Sequence, residues 1–351
     1  MHMLVILFWC LSLLLTASCE IGCRDENNDL VDWYYLYKLP HEEFDRKSQS
    51  TGFRYAFLTS AERSTQWKLS ERTVNDSNSI PGNTLEPVLL EGTDVLALLY
   101  NDEPPENKTD GLRGHTKGVV ATDGQSGFWL VHSVPKYPPS LGEKYHYPST
   151  GKLYGQSFLC ISVEADQMES IGQQLLLNEP HVYSFQIPSS LRNRFPKLVE
   201  VSEMKTDDTP PHYSILDVKS RGGTIFRSFA KNRFFKKELY ADLIAPMLQV
   251  SLLVETWQHG AGNLPDSCLH FPVFNIKAVK VIGDYRFETL KDHSKWAVSG
   301  KSETDYVCVG DINRQEHQKE RGGGSVCSQL SVVADVYRGS VENVESCPPD
   351  L

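Results

Sequence analysis

Short runs of β-branched and aromatic residues, cut by Pro, Asp and Gly, recur along the chain and predict a strand-rich fold with few helices. Val31-Asp32-Trp33-Tyr34-Tyr35-Leu36-Tyr37 reads as a strand stopped by Pro40. Val95 to Tyr100 reads as another, closed by Asn101-Asp102-Glu103-Pro104-Pro105. A strand around His115, strands over 128–133 and 158–163, and a helix over 166–176 follow. The second half repeats the order. It offers a strand over 224–229, a helix over 237–248 and strands over 250–257, 275–282 and 306–309. A strand around His293 precedes the last of these. A closing helix over 325–337 is entered through Arg321-Gly322-Gly323-Gly324. Each half is thus expected to be a central sheet flanked by helices, an α/β (α+β) chain. The Pro- and Asp-rich stretch over 206–212 is the expected joint, dividing 20–207 from 208–351.

Composition narrows the class. The chain has 351 residues, 40% hydrophobic and 23% charged, as a globular protein should. The apolar run from Leu4 to Leu15 is too short to span a membrane, and Ala17-Ser18-Cys19 offers small residues for cleavage. Residues 1–19 therefore read as a signal peptide. Six cysteines then remain: Cys23, Cys160, Cys268, Cys308, Cys327 and Cys347. An even set on a secretory route implies three disulfides, whose pairing the spacing leaves open. Asn75-Asp76-Ser77 and Asn107-Lys108-Thr109 are glycosylation sequons in polar, loop-like stretches. The net charge of −10 disfavours a polyanionic partner at neutral pH, but eleven histidines would offset it in acid. A local basic cleft would escape this count altogether.

The candidate chemistry is a phrase written twice. His115-Thr116-Lys117 returns half a chain later as His293-Ser294-Lys295. On a strand, residues i and i+2 share a face, so each copy would set an imidazole beside an ammonium. Two such pairs suit a phosphodiester: the lysines neutralise the phosphate, one histidine attacks phosphorus and the other protonates the leaving oxygen. His132 and Asp311 follow their histidines at nearly equal spacing, each just after a short apolar run. Asp311 and Asn313 are candidates to orient the second histidine, as a carboxylate orients an imidazole in a triad. A metal held by His115, His132, His293 and Asp311 is the rival reading, opposed by the adjacent lysines. The glycine run at 321–324 could cradle a phosphate or be a plain turn. Lys231-Asn232-Arg233-Phe234-Phe235-Lys236-Lys237 could touch a nucleic acid backbone or be a solvated face.

With these residues on view, the chain resembles the deoxyribonuclease II family, a branch of the phospholipase D superfamily. The stretches that carry the resemblance span nearly all of residues 20–351. They include Val31-Asp32-Trp33, Tyr37-Lys38-Leu39-Pro40, Leu99-Tyr100-Asn101-Asp102 and Arg113-Gly114-His115-Thr116-Lys117-Gly118. They continue through Gly127-Phe128-Trp129-Leu130-Val131-His132-Ser133, Tyr154-Gly155-Gln156, Ser228-Phe229-Ala230-Lys231 and Asp292-His293-Ser294-Lys295-Trp296. Cys308-Val309-Gly310-Asp311-Ile312-Asn313-Arg314 and Arg321-Gly322-Gly323-Gly324 complete them.

The resemblance implies two phospholipase D-like halves related by a pseudo-twofold, sharing one active site. It implies an acid endonuclease that leaves 3′-phosphate and 5′-hydroxyl ends with no metal and no other cofactor. It also implies the disulfides Cys23–Cys160, Cys268–Cys347 and Cys308–Cys327. In the superfamily an Asp follows each HxK. Here Asp123 stands at an unusual spacing and is not given that role. Gly310-Asp311-Ile312-Asn313 replaces the superfamily's Gly-Ser-x-Asn.

The catalytic set expected is His115, Lys117, His293, Lys295, His132, Asp311 and Asn313. His115 is read as the nucleophile forming a phosphohistidine and His293 as the acid, although near-mirror halves leave that choice open. DNA is the expected partner, with no membrane association and with a homodimer left open. The lysosome, reached by the secretory pathway, is the expected destination, with secretion as the other. Two other readings compete: a phospholipase D-type lipid hydrolase and a catalytically inactive, secreted DNA-binding protein.

Overall fold

A computed structural model describes residues 20–41, 52–62, 64–106, 109–259, 261–283 and 285–347. The expected signal peptide and the sequon at Asn107 lie outside these residues. The first sheet contains β1 (Trp33–Lys38), β2 (Arg54–Thr59), β3 (Lys68–Thr73), β4 (Leu96–Asn101), β5 (Lys117–Thr122), β6 (Ser126–His132), β7 (Gln156–Glu164) and β8 (Val182–Gln186). The second contains β9 (Tyr213–Lys219), β10 (Ile225–Lys231), β11 (Leu252–Glu255), β12 (Val273–Ile282), β13 (Tyr285–Glu288), β14 (Trp296–Ser299), β15 (Val307–Gly310), β16 (Gly323–Ser328) and β17 (Val341–Val344).

The middle of each sheet repeats one topology. The first runs β1-β7-β6-β5-β4 and the second β10-β16-β15-β14-β11. Registers match as well: Gly118 pairs Val131 and Val131 pairs Leu159, as Trp296 pairs Val309 and Val309 pairs Val326. The resemblance of the halves seen in sequence is therefore a repeat of strand order and register.

Both faces of these strands are covered, which is why they read as continuous apolar runs. Along β1, Tyr35 and Tyr37 join one core while Tyr34 and Leu36 join another. The first of these cores lies between the sheets. It takes Trp129 and Leu159 from one half and Trp296, Val309 and Val326 from the other. Helices Met168–Asn178 and Ser331–Gly339 contribute Leu175 and Tyr337 to it. The outer faces are covered separately, the second by residues 240–248. Hydrogen bonds across the seam, such as Tyr35 Oη to Ser328 Oγ at 2.9 Å, tie the sheets together.

The three disulfides are Cys23–Cys160, Cys268–Cys347 and Cys308–Cys327, the pairing that the resemblance implies. Cys308 and Cys327 sit directly opposite each other on β15 and β16. Among the described residues no helix is long and apolar enough to cross a membrane.

Two local expectations are corrected. Residues 325–328 are not the start of a helix but part of the central strand β16, and the helix begins only at Ser331. Helical spacing over 331–337 extends backwards into a segment whose place between β10 and β15 decides its conformation. The glycine run at 321–324 accordingly leads into a strand and is not a nest before a helix. Neither histidine lies within a strand either. Lys117 opens β5 and Lys295 immediately precedes β14, so each histidine sits on the segment entering its strand.

Candidate active site

The site forms at one end of both sheets. There β4, β6, β11 and β15 finish and β5, β7, β14 and β16 begin. His115, Lys117, His293, Lys295 and Asn313 line a single cavity of about 360 Å³, with Asp102, Ser133, Trp257 and Arg321. The fold thus brings both His-x-Lys pairs together.

Each histidine is anchored by the other half. His115 N–H donates to the Gly322 carbonyl at 2.9 Å, and His293 N–H donates to the Gly155 carbonyl at 2.9 Å. The close approach requires glycine. A Cβ on Gly155 would lie 2.3 Å from Asp292 Oδ1, and one on Gly322 would lie 2.5 Å from the Asn178 carbonyl oxygen.

The side-chain surroundings differ. His115 Nδ1 is 2.8 Å from Asp102 Oδ2, and the Asp102 carboxylate is also bonded by Lys117 Nζ and, at 2.9 Å, by Arg321 Nη2. Burial alone would raise the Asp102 carboxyl, but His115, Lys117 and Arg321 hold it well below the usual carboxylate range. Burial pushes the His115 imidazole down to about 3, against the pull of Asp102. A neutral His115 therefore donates Nδ1–H to an ionised Asp102. That fixes the tautomer and leaves the Nε2 lone pair facing Asn313 Nδ2, 3.4 Å away.

His293 has no such carboxylate. It stacks on Tyr154 at 4.2 Å between ring centroids and meets the edge of Trp257 at 3.8 Å. Its Nε2 is buried without a hydrogen-bond partner. Burial, then Lys295 and Lys117, push its imidazole down to about 2. Lys295 donates from Nζ to the His293 carbonyl at 2.6 Å. Burial and the charge of Lys117 lower the Lys295 ammonium to about 7.

Three expected residues are placed otherwise than their spacing suggests. Asn313 lies against the first histidine, not the second. Asp311 is buried behind the cavity wall, where its Oδ1 accepts the Gly324 N–H at 2.9 Å and burial raises its carboxyl to about 7. His132 is fully buried, its ring against Tyr137 and Phe158 of the outer layer and its Nδ1 accepting the Val134 N–H at 3.2 Å. The cause is a one-residue slip. By register His132 matches Gly310, while Ser133 matches Asp311, and neighbours on a strand face opposite ways. Asp123 caps the turn between β5 and β6, remote from the cavity.

The sequence reading passed over Asp102, Arg321, Tyr154 and Trp257 as site residues. Each belongs to a stretch noted for another reason, and only strand pairing brings it to a histidine. Among the described residues no group of three or more His, Cys, Asp or Glu side chains is placed to hold a metal ion. The cavity's basic side chains, Lys117, Lys295 and Arg321, suit an anion.

Comparison with known proteins points to a nuclease family. The deoxyribonuclease II family matches the chain over residues 22–347. Plancitoxin-1 of Acanthaster planci is 38% identical over 98% of this chain and 99% of its own length. Human deoxyribonuclease-2-beta is 36% identical over 94% of this chain and 93% of its own. Cell death-related nuclease 6 of Caenorhabditis elegans is 36% identical over 90% of this chain and 86% of its own.

Proposed function

This chain belongs to the deoxyribonuclease II family, and from that premise we propose that it is an acid endodeoxyribonuclease working through a covalent phosphohistidine. The observation that carries the reading is the convergence of both His-x-Lys pairs in one cationic cavity, with one histidine held by Asp102.

A DNA phosphodiester binds with its charged oxygens toward Lys117, Lys295 and Arg321. Nε2 of His115 attacks phosphorus, and the P–N bond forms as the P–O5′ bond breaks. The His293 imidazolium gives its proton to the departing O5′, releasing a 5′-hydroxyl. Neutral His293 then takes a proton from water. The hydroxide attacks phosphorus, the P–N bond breaks, and a 3′-phosphate leaves. The lysines offset charge building on the equatorial oxygens throughout. Asp102 stabilises the positive imidazole of the intermediate. His132, Asp311 and Asn313 support these groups: Asn313 touches His115, and the other two lie behind the lysines.

The lowered His293 imidazole is that of the protein without substrate. Burial and the charges of Lys295 and Lys117 oppose its protonation in the free protein; a bound phosphodiester adds negative charge beside it and raises its pKa in the complex. The need for an imidazolium there restricts turnover to acid. No step calls for a divalent metal. The three disulfides suit an oxidising secretory route, and acid activity suits the lysosome as destination.

Plasmid nicking by the protein at about pH 5 and about pH 7.5 in EDTA, with end-group analysis, tests the reading. Cleavage in acid with 3′-phosphate ends is expected. Cleavage that requires added metal, or that leaves 5′-phosphates, overturns it.

A further inference from the structure

Two buried lysines take no part in this mechanism. Lys38 ends β1 and Lys231 ends β10, and both are 0% exposed. They hold matching places, since Lys38 pairs Gln156 at the start of β7 and Lys231 pairs Gly323 at the start of β16. Burying an ammonium is costly, and an apolar side chain would fill the same space without that cost. What each ammonium does is therefore informative.

Each Nζ grips the backbone of a loop, and that of Lys38 also holds Gly52 just before β2. Lys38 donates to the carbonyls of Gly151 at 2.7 Å, Lys152 at 3.1 Å and Gly52 at 3.2 Å. Lys231 donates to the carbonyls of Gln318 at 3.0 Å, Lys319 at 3.4 Å and Arg321 at 2.5 Å. The first loop, residues 149–155, carries Tyr154 and Gly155 to His293. The second, residues 316–322, carries Arg321 and Gly322 to His115. Each loop leaves its own half and sets the histidine of the other.

We propose that Lys38 and Lys231 are positioning residues, each pinning the loop of its own half so that the loop's tip orients the histidine of the opposite half. Lys231 acts through Arg321 and Gly322 on His115, and Lys38 acts through Tyr154 and Gly155 on His293. The pairing of lysine with histidine comes from geometry alone. Which chemical step each variant slows rests on the reading of His115 as nucleophile and His293 as acid.

The test uses Lys38→Met and Lys231→Met, which keep the stem and remove the donors. Two substrates are compared: DNA, and thymidine 3′-(4-nitrophenyl phosphate), whose phenolate leaves without being protonated. Lys231→Met should lower turnover on both by about a hundredfold, because the nucleophile is misplaced. Lys38→Met should lose about as much on DNA but only a few-fold in the first-turnover burst of nitrophenolate from the ester. That step needs no proton donor, while the later hydrolysis, which uses His293 as base, slows on both substrates. A reversed split, with Lys231→Met spared in the burst, keeps the crossed pairing and overturns the roles of the two histidines. Equal loss of DNA cleavage and of the burst by both variants, or no loss by either, overturns the proposal.

Tyr154→Ala and Arg321→Ala carry the test should a lysine variant fail to fold. Tyr154→Ala must spare the nitrophenolate burst as Lys38→Met does, and Arg321→Ala must lose on both substrates as Lys231→Met does; the same pattern in both variants overturns the proposal. Where all variants fold, Lys38→Met with Tyr154→Ala, and Lys231→Met with Arg321→Ala, should lose less than the product of the single losses. Multiplicative losses would show that the lysine does not act through the tip.

Discussion

His115 and His293 occupy matching positions in two sheets of matching register, and their neighbours come from matching positions too. Asp102 stands two residues past Tyr100, which pairs Gly118, and Trp257 stands two past Glu255, which pairs Trp296. Arg321 and Tyr154 likewise correspond, each five residues before the strand positions Val326 and Leu159. One half thus fills the pair of places with a carboxylate and a guanidinium 2.9 Å apart. The other fills them with two aromatic rings 4.8 Å apart. The scaffold is repeated while the chemistry is not. An ion pair fixes one tautomer and supports a cationic intermediate; the aromatic pair stacks on one face of its ring and meets it edge-on with the other. The first suits a nucleophile and the second a group that must take up and give up a proton.

The largest effect that could break this comparison comes from the histidines themselves. His115→Ala should lower cleavage of DNA and of a nitrophenyl diester alike by at least about 10⁴-fold. His293→Ala should do so on DNA, while on the nitrophenyl diester it should spare the first release of nitrophenolate and let a phosphoenzyme accumulate, because hydrolysis of the intermediate has lost its base. Peptide mapping of that intermediate, quenched and digested in alkali where the P–N bond survives, is expected to recover the phosphoryl group on His115. Recovery on His293 from the wild-type protein would assign the roles the other way round.

Next in size is Asp102→Asn, which keeps shape but removes the anion shared by His115, Lys117 and Arg321. Turnover should fall by about 10²-fold, with KM changed less, since orientation and charge stabilisation are lost together. The fold should also lose about 3 kcal/mol, because buried Lys117 and partly buried Arg321 lose the carboxylate they share. Urea denaturation at pH 5 measures the second effect. Unchanged stability would mean that the carboxylate contributes no net attraction.

The contrast between Asp311 and Ser133, which share a register position, predicts a pH effect on binding. Burial lowers Lys295 and raises Asp311, both to about 7. Below that pH Lys295 is charged and Asp311 neutral; above it Lys295 is neutral and Asp311 charged. The site therefore loses positive charge twice as pH rises, and KM for DNA should climb roughly tenfold between about pH 5 and pH 8. Asp311→Asn removes one of the two changes and should flatten the climb. A KM profile as steep as that of the wild type would exclude Asp311 as a contributor.

What was legible in the sequence follows from which relations are local. The His-x-Lys pairs could be read because each is contiguous and repeated. Asp102 could not be matched to His115, because a bend and the pairing of β4 with β5 bring them together, and because its counterpart in the repeat is Trp257. The spacing of His132 and Asp311 from their histidines looked equivalent, but a difference of one residue is a difference of face on a strand. Asn313 reaches the histidine of the other half, which no pattern within one half reveals. The strand β16 was hidden because its neighbours in the sheet, not its own residues, decide it.

The smallest predicted effect lies where Glu255 takes the place that Tyr100 holds in the first half. Tyr100 uses its hydroxyl to accept the Trp129 Nε1–H at 3.0 Å. Glu255 is 0% exposed and neither of its oxygens has a hydrogen-bond partner. Burial, and then the nearby Asp292, raise its carboxyl well above the usual range. A folded group with a raised pKa favours the protonated form. Its contribution to stability is present below the unfolded pKa, about 4.3, and is lost as pH rises toward the folded value. Glu255→Gln replaces that carboxylic acid by a neutral group of the same shape. At pH 5 the variant should match the wild type closely, and at pH 8 it should be the more stable by about 1 kcal/mol. Thermal unfolding at the two pH values decides the matter. A variant that is less stable at both would mean that Glu255 is ionised and paired with Lys295, and the second half would then hold its own buried ion pair after all.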